Sequence, residues 1–184
     1  MKGSEAVLRK SIWNGKPCVI KDRIPKRYRI EQLDIYLRKK RTRSEAKILK
    51  KLNDGKINSP QIYFYDEFSI TMEFLEGIRP RENEKNIKEA GKILSKIHSL
   101  DIIHGDYTFA NLMDAKGKIY IFDFGLGYFS HKIENKAVDI FTMLLSIHDK
   151  KHKRIFLESY LSDCRHPDKI KSRLETISKR IRYS

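Results

Sequence analysis

Apolar and polar residues follow two rhythms along this chain, and the change of rhythm divides it. From Ala6 to Trp13 and from Pro17 to Lys21, short β-prone runs flank Asn14-Gly15. Asn-Gly between two such runs predicts a tight hairpin, because both turn positions need positive φ. From Glu31 to Asn53 the spacing turns helical: Leu33, Ile35, Tyr36 and Leu37 lead to Ala46, Ile48, Leu49 and Leu52, with basic residues between. A break is expected near Arg41–Ser44, with Ser44 capping a second helix. Gln61–Asp66 and Ile70–Leu75 predict two more strands, and Gly77 and Pro80 punctuate the chain beyond them. Phe74–Pro80 reads as a linker.

The second part is mostly helical. Asn86–Leu100 is amphipathic, with Ile87, Ala90, Leu94 and Ile97 on one face. Leu112-Met113 and Ile119–Phe122 are short apolar pieces separated by a polar turn with Gly117. A helix over Glu134–Ile147, with Ala137, Val138, Ile140, Phe141, Leu144 and Leu145, is expected to be well buried. Two further helices are expected near 150–162 and 168–181. No internal repeat is apparent.

Composition changes this picture little. A chain of 184 residues, 40% hydrophobic and 34% charged, is large enough to bury a core without disulfides and is not of the disordered class. Cys18 and Cys164 lie far apart with no metal spacing near either, which favours free thiols. No apolar run approaches the length of a membrane span, and the first residues lack a signal peptide's apolar core. The reading is a soluble, cytoplasmic protein. Charge is more informative. The net charge is +15, and residues 1–53 hold 17 basic against 5 acidic groups, while 54–148 hold 11 against 14. Residues 149–184 hold 11 against 5. Two basic ends around a nearly neutral middle favour a polyanionic partner such as RNA.

The residues that carry chemistry cluster in His104-Gly105-Asp106-Tyr107-Thr108-Phe109-Ala110-Asn111, followed twelve residues later by Asp123-Phe124-Gly125. Phosphoryl transfer needs few protein ligands of this kind. Asn111 and Asp123 can hold Mg²⁺ ions that bridge phosphates, and Asp106 can orient the attacking hydroxyl or water. Val19-Ile20-Lys21 puts a lysine at a strand end, within reach of phosphates, and Glu45 is available on a helix to aim it. Each piece alone has an ordinary explanation: an edge lysine, a first-turn glutamate, a common turn. His104 alone reads as a hydrogen-bonded core histidine. The order and spacing together are what point to an ATP site.

These stretches resemble the protein-kinase superfamily. The match tightens in Lys26-Arg27-Tyr28-Arg29, Leu33-Asp34, Arg41-Thr42-Arg43-Ser44-Glu45-Ala46, Met72-Glu73-Phe74-Leu75-Glu76-Gly77, Asp123-Phe124-Gly125-Leu126-Gly127 and Lys136-Ala137-Val138-Asp139. They are similar to the small atypical kinases of the KEOPS complex, over about three quarters of the chain. The resemblance implies an α+β, minimal two-lobed kinase fold: a small β-rich lobe with one helix over 1–75 and a reduced helical lobe over 76–184, with a cleft between. It implies ATP and Mg²⁺ as cofactors, ATPase and autophosphorylation activity, and support of threonylcarbamoyl-adenosine synthesis in tRNA. The implied partners are a threonylcarbamoyl-transferase subunit, a small activator subunit on the first lobe, and tRNA through the assembled complex. Lys21 becomes the phosphate lysine, Glu45 its partner, Asp106 the catalytic-loop aspartate, and Asn111 and Asp123 the metal ligands. Met72 would lie behind adenine, the backbone of Glu73 and Leu75 would hydrogen-bond it, and Val19 and Met113 would sandwich it.

The departures from ordinary kinases point the same way. Gly3-Ser4-Glu5-Ala6 stands in place of a Gly-rich loop, and Gly105 stands where an arginine usually reads a phosphorylated loop. No Ala-Pro-Glu follows Gly125, so the platform for a peptide substrate is missing. Ser130, in the short segment that remains, is a candidate for modification. The tail Lys179-Arg180-Ile181-Arg182 matches the family's basic tail but is less arginine-dense. The same stretches are compatible with a conventional Ser/Thr protein kinase, a non-catalytic pseudokinase, and a RIO-like or antibiotic phosphotransferase.

Overall fold

The structure is a computed structural model, and it describes residues 6–182. The Gly3-Ser4-Glu5 stretch expected to replace a Gly-rich loop lies outside the described residues. Two compact units form: Met1–Glu76 with Asp123–Gly127, and Gly77–Phe122 with Tyr128–Ser184.

The first unit is a four-stranded antiparallel sheet and one long helix. Strands β1 (Val7–Trp13) and β2 (Lys16–Asp22) form the expected hairpin. Asn14 (φ 47°) and Gly15 (φ 77°) occupy the two turn positions that require left-handed backbone. With β3 (Ile62–Tyr65) and β4 (Ser69–Glu73), the strand order is β1-β2-β4-β3. Helix α1 runs unbroken over Glu31–Asp54, so the expected break at Arg41–Ser44 is absent. No Gly or Pro interrupts that stretch, and Ser44 Oγ donates to Gly127 O (2.9 Å) rather than capping a helix. Thr42, Glu45, Ala46, Ile48, Leu49 and Leu52 make the buried face of α1.

The second unit is built on α2 (Glu84–Ser99), whose N-cap Asn83 accepts the Asn86 N–H. Its face of Ile87, Ala90, Leu94 and Ile97 is fully buried, as the periodicity predicted. α2 packs on α4 (Lys150–Ser162) at close range: a Cβ on Gly91 would lie 2.6 Å from Phe156 O. Only glycine permits that approach. Strand β5 (Ile102–Ile103) pairs with β8 (Tyr128–Phe129), and β6 (Leu112–Ala115) with β7 (Lys118–Ile121) around Lys116-Gly117. α3 (Ile133–Ser146) packs on α5 (Pro167–Arg182). α3 is less buried than its apolar content predicts. Ala137, Asp139, Ile140 and Met143 face inward, whereas Val138 and Leu145 are exposed. Both cysteines are free thiols. Among the described residues no helix is long and apolar enough to cross a membrane.

One carboxylate fastens the start of α4. Glu82 accepts the N–H groups of His148 (3.2 Å) and Asp149 (3.3 Å), and its oxygens lie 3.0 Å from His148 Nδ1 and 3.3 Å from His152 Nδ1. Burial alone would push this carboxyl up; the hydrogen bonds outweigh it and hold the pKa down to about 2, against 4.5 for a free glutamate. A depressed carboxyl stabilises the fold fully above its unfolded pKa and loses that contribution as pH falls through its folded value. Glu82→Gln should therefore flatten the acid limb of stability between pH 4.5 and about 2, read as melting temperature against pH. An unchanged limb would show that the clamp contributes nothing.

Candidate active site

In the first unit the register of the sheet selects one face. Val19 pairs with Met72 and Lys21 with Ile70, so these four side chains stand on the same side. Val19, Met72, Glu73 and Leu75 are half-buried. The Glu73 N–H is committed to Gln61 O (2.8 Å), which leaves it no role as a donor to a ligand. Lys21 is only 7% exposed. Its ammonium donates to Glu45 Oε1 (2.6 Å) and to Asp123 Oδ1 (2.8 Å). The helix face that buries Ile48 and Leu49 brings Glu45 inward with it, so the lysine and its expected partner do meet.

Asp123 has φ 63°, a left-handed conformation that Asp tolerates better than most residues. Its side chain is 53% exposed. The adjacent Gly125 N–H donates to Asp123 Oδ1 (3.3 Å).

A further cation, absent from the sequence-derived set, joins this cluster. Arg23 Nη2 donates to Glu45 Oε2 at 2.5 Å, and Arg23 is 5% exposed. The available signal was its position: two residues beyond Lys21, it has the side-chain parity that returns to the same face of an extended chain.

In the second unit Asp106 and Asn111 come together. Asn111 Nδ2 donates to Asp106 O (2.8 Å) and Oδ2 (3.1 Å), which turns the amide oxygen away from Asp106. The loop before them hangs on α3. Asp139, 1% exposed, accepts the N–H groups of His104 (2.6 Å) and Gly105 (2.8 Å), and His98 Nε2 lies 3.3 Å from it. His98 Nδ1 meets Tyr160 OH at 2.9 Å, and burial holds this imidazole's pKa down. His104 is the core histidine expected: Asp106 N–H donates to its Nδ1 (3.2 Å), so the proton sits on Nε2, facing Phe122 O at 3.1 Å. Gly105 has φ 81°, which explains glycine in place of a side chain there. Met113 lies in β6 beside Gly77, where an added Cβ would stand 2.7 Å from Met113 Cγ. Ser130 Oγ accepts from Lys132 N–H (3.1 Å) and Asn135 Nδ2 (2.8 Å), so its hydroxyl helps organise the start of α3. Asp139 falls in one of the family-like stretches, but sequence reasoning gave it no role. Its signal is a carboxylate on the apolar face between Ala137 and Ile140.

Among the described residues no three carboxylate, imidazole or thiol groups converge as a metal cage. Mg²⁺ needs none: it is commonly held by one or two protein oxygens together with water and phosphates. A half-exposed carboxylate on Asp123 and an outward amide oxygen on Asn111 are donors of the type it takes.

Comparison with known proteins agrees with this geometry. Residues 20–143 match the RIO domain. The KEOPS complex subunit Bud32 of Pyrococcus abyssi is 36% identical over 90% of this chain and 84% of its own length. A probable serine/threonine-protein kinase BUD32 homolog of Archaeoglobus fulgidus is 35% identical over 90% of this chain and 88% of its own. A probable bifunctional tRNA threonylcarbamoyladenosine biosynthesis protein of Methanobrevibacter smithii is 40% identical, and the chain spans 36% of that protein's length. The chain thus covers about a third of the bifunctional relatives it matches. In fold it resembles the Rio2 kinase of Chaetomium thermophilum in an ADP/Mg²⁺-phosphoaspartate complex, with TM-score 0.68 and 15% identity over all of this chain and 70% of the other. It also resembles WaaP, with TM-score 0.67 and 11% identity over 98% of this chain and 86% of the other. The KEOPS-kinase and RIO-like readings are therefore not rivals, because one chain carries both matches. A β-sheet unit with an inward Lys-Glu pair, a helical unit with an anchored His-Gly-Asp loop, and whole-length relatives all agree: the chain belongs to the RIO-domain family of atypical protein kinases, among the relatives of the KEOPS subunit Bud32.

Proposed function

We propose that this protein is an ATP-hydrolysing atypical kinase that supports threonylcarbamoyl-adenosine formation in tRNA as part of a KEOPS-type assembly. The observation that carries the reading is the ion cluster in which one buried lysine, Lys21, is shared between Glu45 and Asp123. Lys21 binds the phosphates of ATP, and Glu45 aims it. Asn111 and Asp123 hold Mg²⁺, which neutralises charge on the phosphates. Asp106 orients the attacking group, and Asn111 steadies it through the two bonds from its amide. Val19, Met72 and Met113 contact adenine, and the backbone of Leu75 and the carbonyl of Glu73 recognise its polar edge. The protein works in the cytoplasm, where tRNA is modified.

Only seven residues separate Gly125 from α3 at Ile133, and none forms a peptide platform. Water or a residue of the assembly is therefore the acceptor, rather than a free protein substrate. The direct partners are a threonylcarbamoyl-transferase subunit and a small activator subunit on the first unit. The bifunctional relatives support the first, since there the region like this chain is joined to a longer one. Exposed Lys40, Arg43, Lys47 and Lys50 recur every three or four residues along α1, a row of one cation per turn suited to a phosphate backbone.

ATP turnover should be slow alone and rise when the transferase subunit and tRNA are added. Replacing Lys40, Arg43, Lys47 and Lys50 with alanine should flatten the slope of log affinity for tRNA against log salt. The slope should change by about 0.7–0.9 for each phosphate that is no longer neutralised. The tRNA-free rate should stay where it was. If tRNA neither binds the assembled complex nor alters turnover, the tRNA reading fails and a conventional protein kinase takes its place.

A further inference from the structure

We infer that Arg23 is a positioning residue of the nucleotide site: it neutralises and pins Glu45, and so frees the charge of Lys21 for the phosphates of ATP. The inference rests on the reading of Lys21 as the phosphate lysine.

Four charged groups meet in the first unit, two cations and two carboxylates. Lys21 and Arg23 each bond a different oxygen of Glu45, at 2.6 and 2.5 Å. Three of the four are almost fully buried, and only the Asp123 side chain is open to solvent. A buried carboxylate needs a full counter-charge, since removing one partner of a buried pair leaves an uncompensated charge. With Lys21 alone, Glu45 would claim that counter-charge and hold the ammonium. Arg23 supplies it instead. Its guanidinium is always charged and planar, a permanent counter-charge for Glu45. Lys21 then carries a surplus positive charge, shared with Asp123 and available to a phosphate.

Arg23 is held in place for this. Its backbone N–H donates to Phe68 O (2.9 Å), and Arg38 Nη1 donates to its carbonyl (3.4 Å). The guanidinium also lies against the loop that carries Asp123. A Cβ on Gly125 would stand 3.4 Å from Arg23 Nη2 and 3.1 Å from Asp123 Oδ1. Because Glu45 keeps one bond to Arg23 whatever Lys21 does, α1 stays drawn toward the sheet when the lysine changes partner. An inward helix that depends on the Lys-Glu pair alone has no such reserve.

The test is equilibrium binding of Mg-ATP, ADP and adenosine, with melting temperature as a check on folding. Arg23→Gln should weaken ATP and ADP by about tenfold, the effect of losing one charge interaction. Adenosine, which has no phosphate, should bind as before. Adding Glu45→Gln to Arg23→Gln removes the carboxylate that then competes for Lys21, and should recover part of the lost ATP affinity, so that the double variant binds ATP more tightly than Arg23→Gln alone. Arg23→Lys keeps the charge and should stay close to wild type, which serves if Arg23→Gln does not fold. A merely structural arginine would weaken adenosine and ATP alike, or make the double variant worse than the single; either result overturns the inference. So would an Arg23→Gln protein that binds ATP normally, or an Arg23→Lys protein that loses ATP as Lys21→Ala does. Lys21→Ala is the control for the underlying reading. If it binds ATP as tightly as wild type, the nucleotide site itself is misassigned, whatever Arg23 does.

Discussion

Replacing Asp123 with alanine should lower ATP turnover by more than about a hundredfold if it holds Mg²⁺ as proposed, because a metal ligand at a transferring phosphoryl group supplies several kcal/mol of charge stabilisation. The fold should survive. The Asp123 side chain is half in solvent, and the partner it leaves, Lys21, retains Glu45. Arg23 still holds the other oxygen of Glu45, so the helix keeps its anchor. The cost comes mainly from the backbone. Asp123 has φ 63°, and alanine in that region is strained by about 1–2 kcal/mol. For a chain of this size, that lowers the melting temperature by about 2–8 °C. Asp123→Asn separates the two effects, since asparagine accepts left-handed φ but carries no charge: its turnover should fall with that of the alanine variant while its melting temperature stays nearer wild type. Phosphate release from ATP and melting without nucleotide measure the pair. Undiminished turnover in both variants would remove Asp123 from the metal site.

The elements visible in the sequence were those fixed by local chemistry. Asn14-Gly15 and Lys116-Gly117 sit at positive φ and close hairpins, and α2 shows its buried face in plain periodicity. The continuity of α1 was not visible. Ser44 looks like a cap in sequence, but its hydroxyl reaches Gly127, 83 residues away, and nothing local announces that. Val138 and Leu145 misled in the opposite direction: apolar content suggests burial, but α3 turns Ala137, Asp139, Ile140 and Met143 inward and leaves those two exposed. At the site, Lys21, Glu45 and Asp123 were readable because their spacing is a motif, and the structure brings those three into one cluster. Arg23 and Asp139 lie outside the positions to which sequence spacing assigned chemistry. Each acts through hydrogen bonds to groups distant in sequence, 22 residues away for Arg23 and about 35 for Asp139, and only the folded chain supplies those partners.

Asp139 carries the largest expected effect on stability. Its carboxylate is 1% exposed and receives two backbone N–H groups, from His104 and Gly105, with His98 Nε2 beside it. Alanine leaves those donors buried and unpaired. Each uncompensated group costs about 1–3 kcal/mol, and removing a buried charged acceptor about 3–5 kcal/mol in all. At about 2–4 °C per kcal/mol, the melting temperature should fall by about 6–20 °C. Asp139→Asn keeps the volume and one acceptor oxygen, and should lose roughly half as much. The same bonds set the path of the chain into Asp106, so the consequence for function is specific. Lys21, Glu45 and Arg23 belong to the other compact unit and are bonded to one another there. Nucleotide affinity in Asp139→Asn should therefore stay near wild type, while turnover falls about 10–100-fold, the usual range for a residue that orients a catalytic group from behind. Affinity and turnover falling together would mean that Asp139 supports the whole site rather than the His104–Asp106 loop. A melting temperature within about 2 °C of wild type for Asp139→Ala would mean that the loop finds its N–H partners elsewhere.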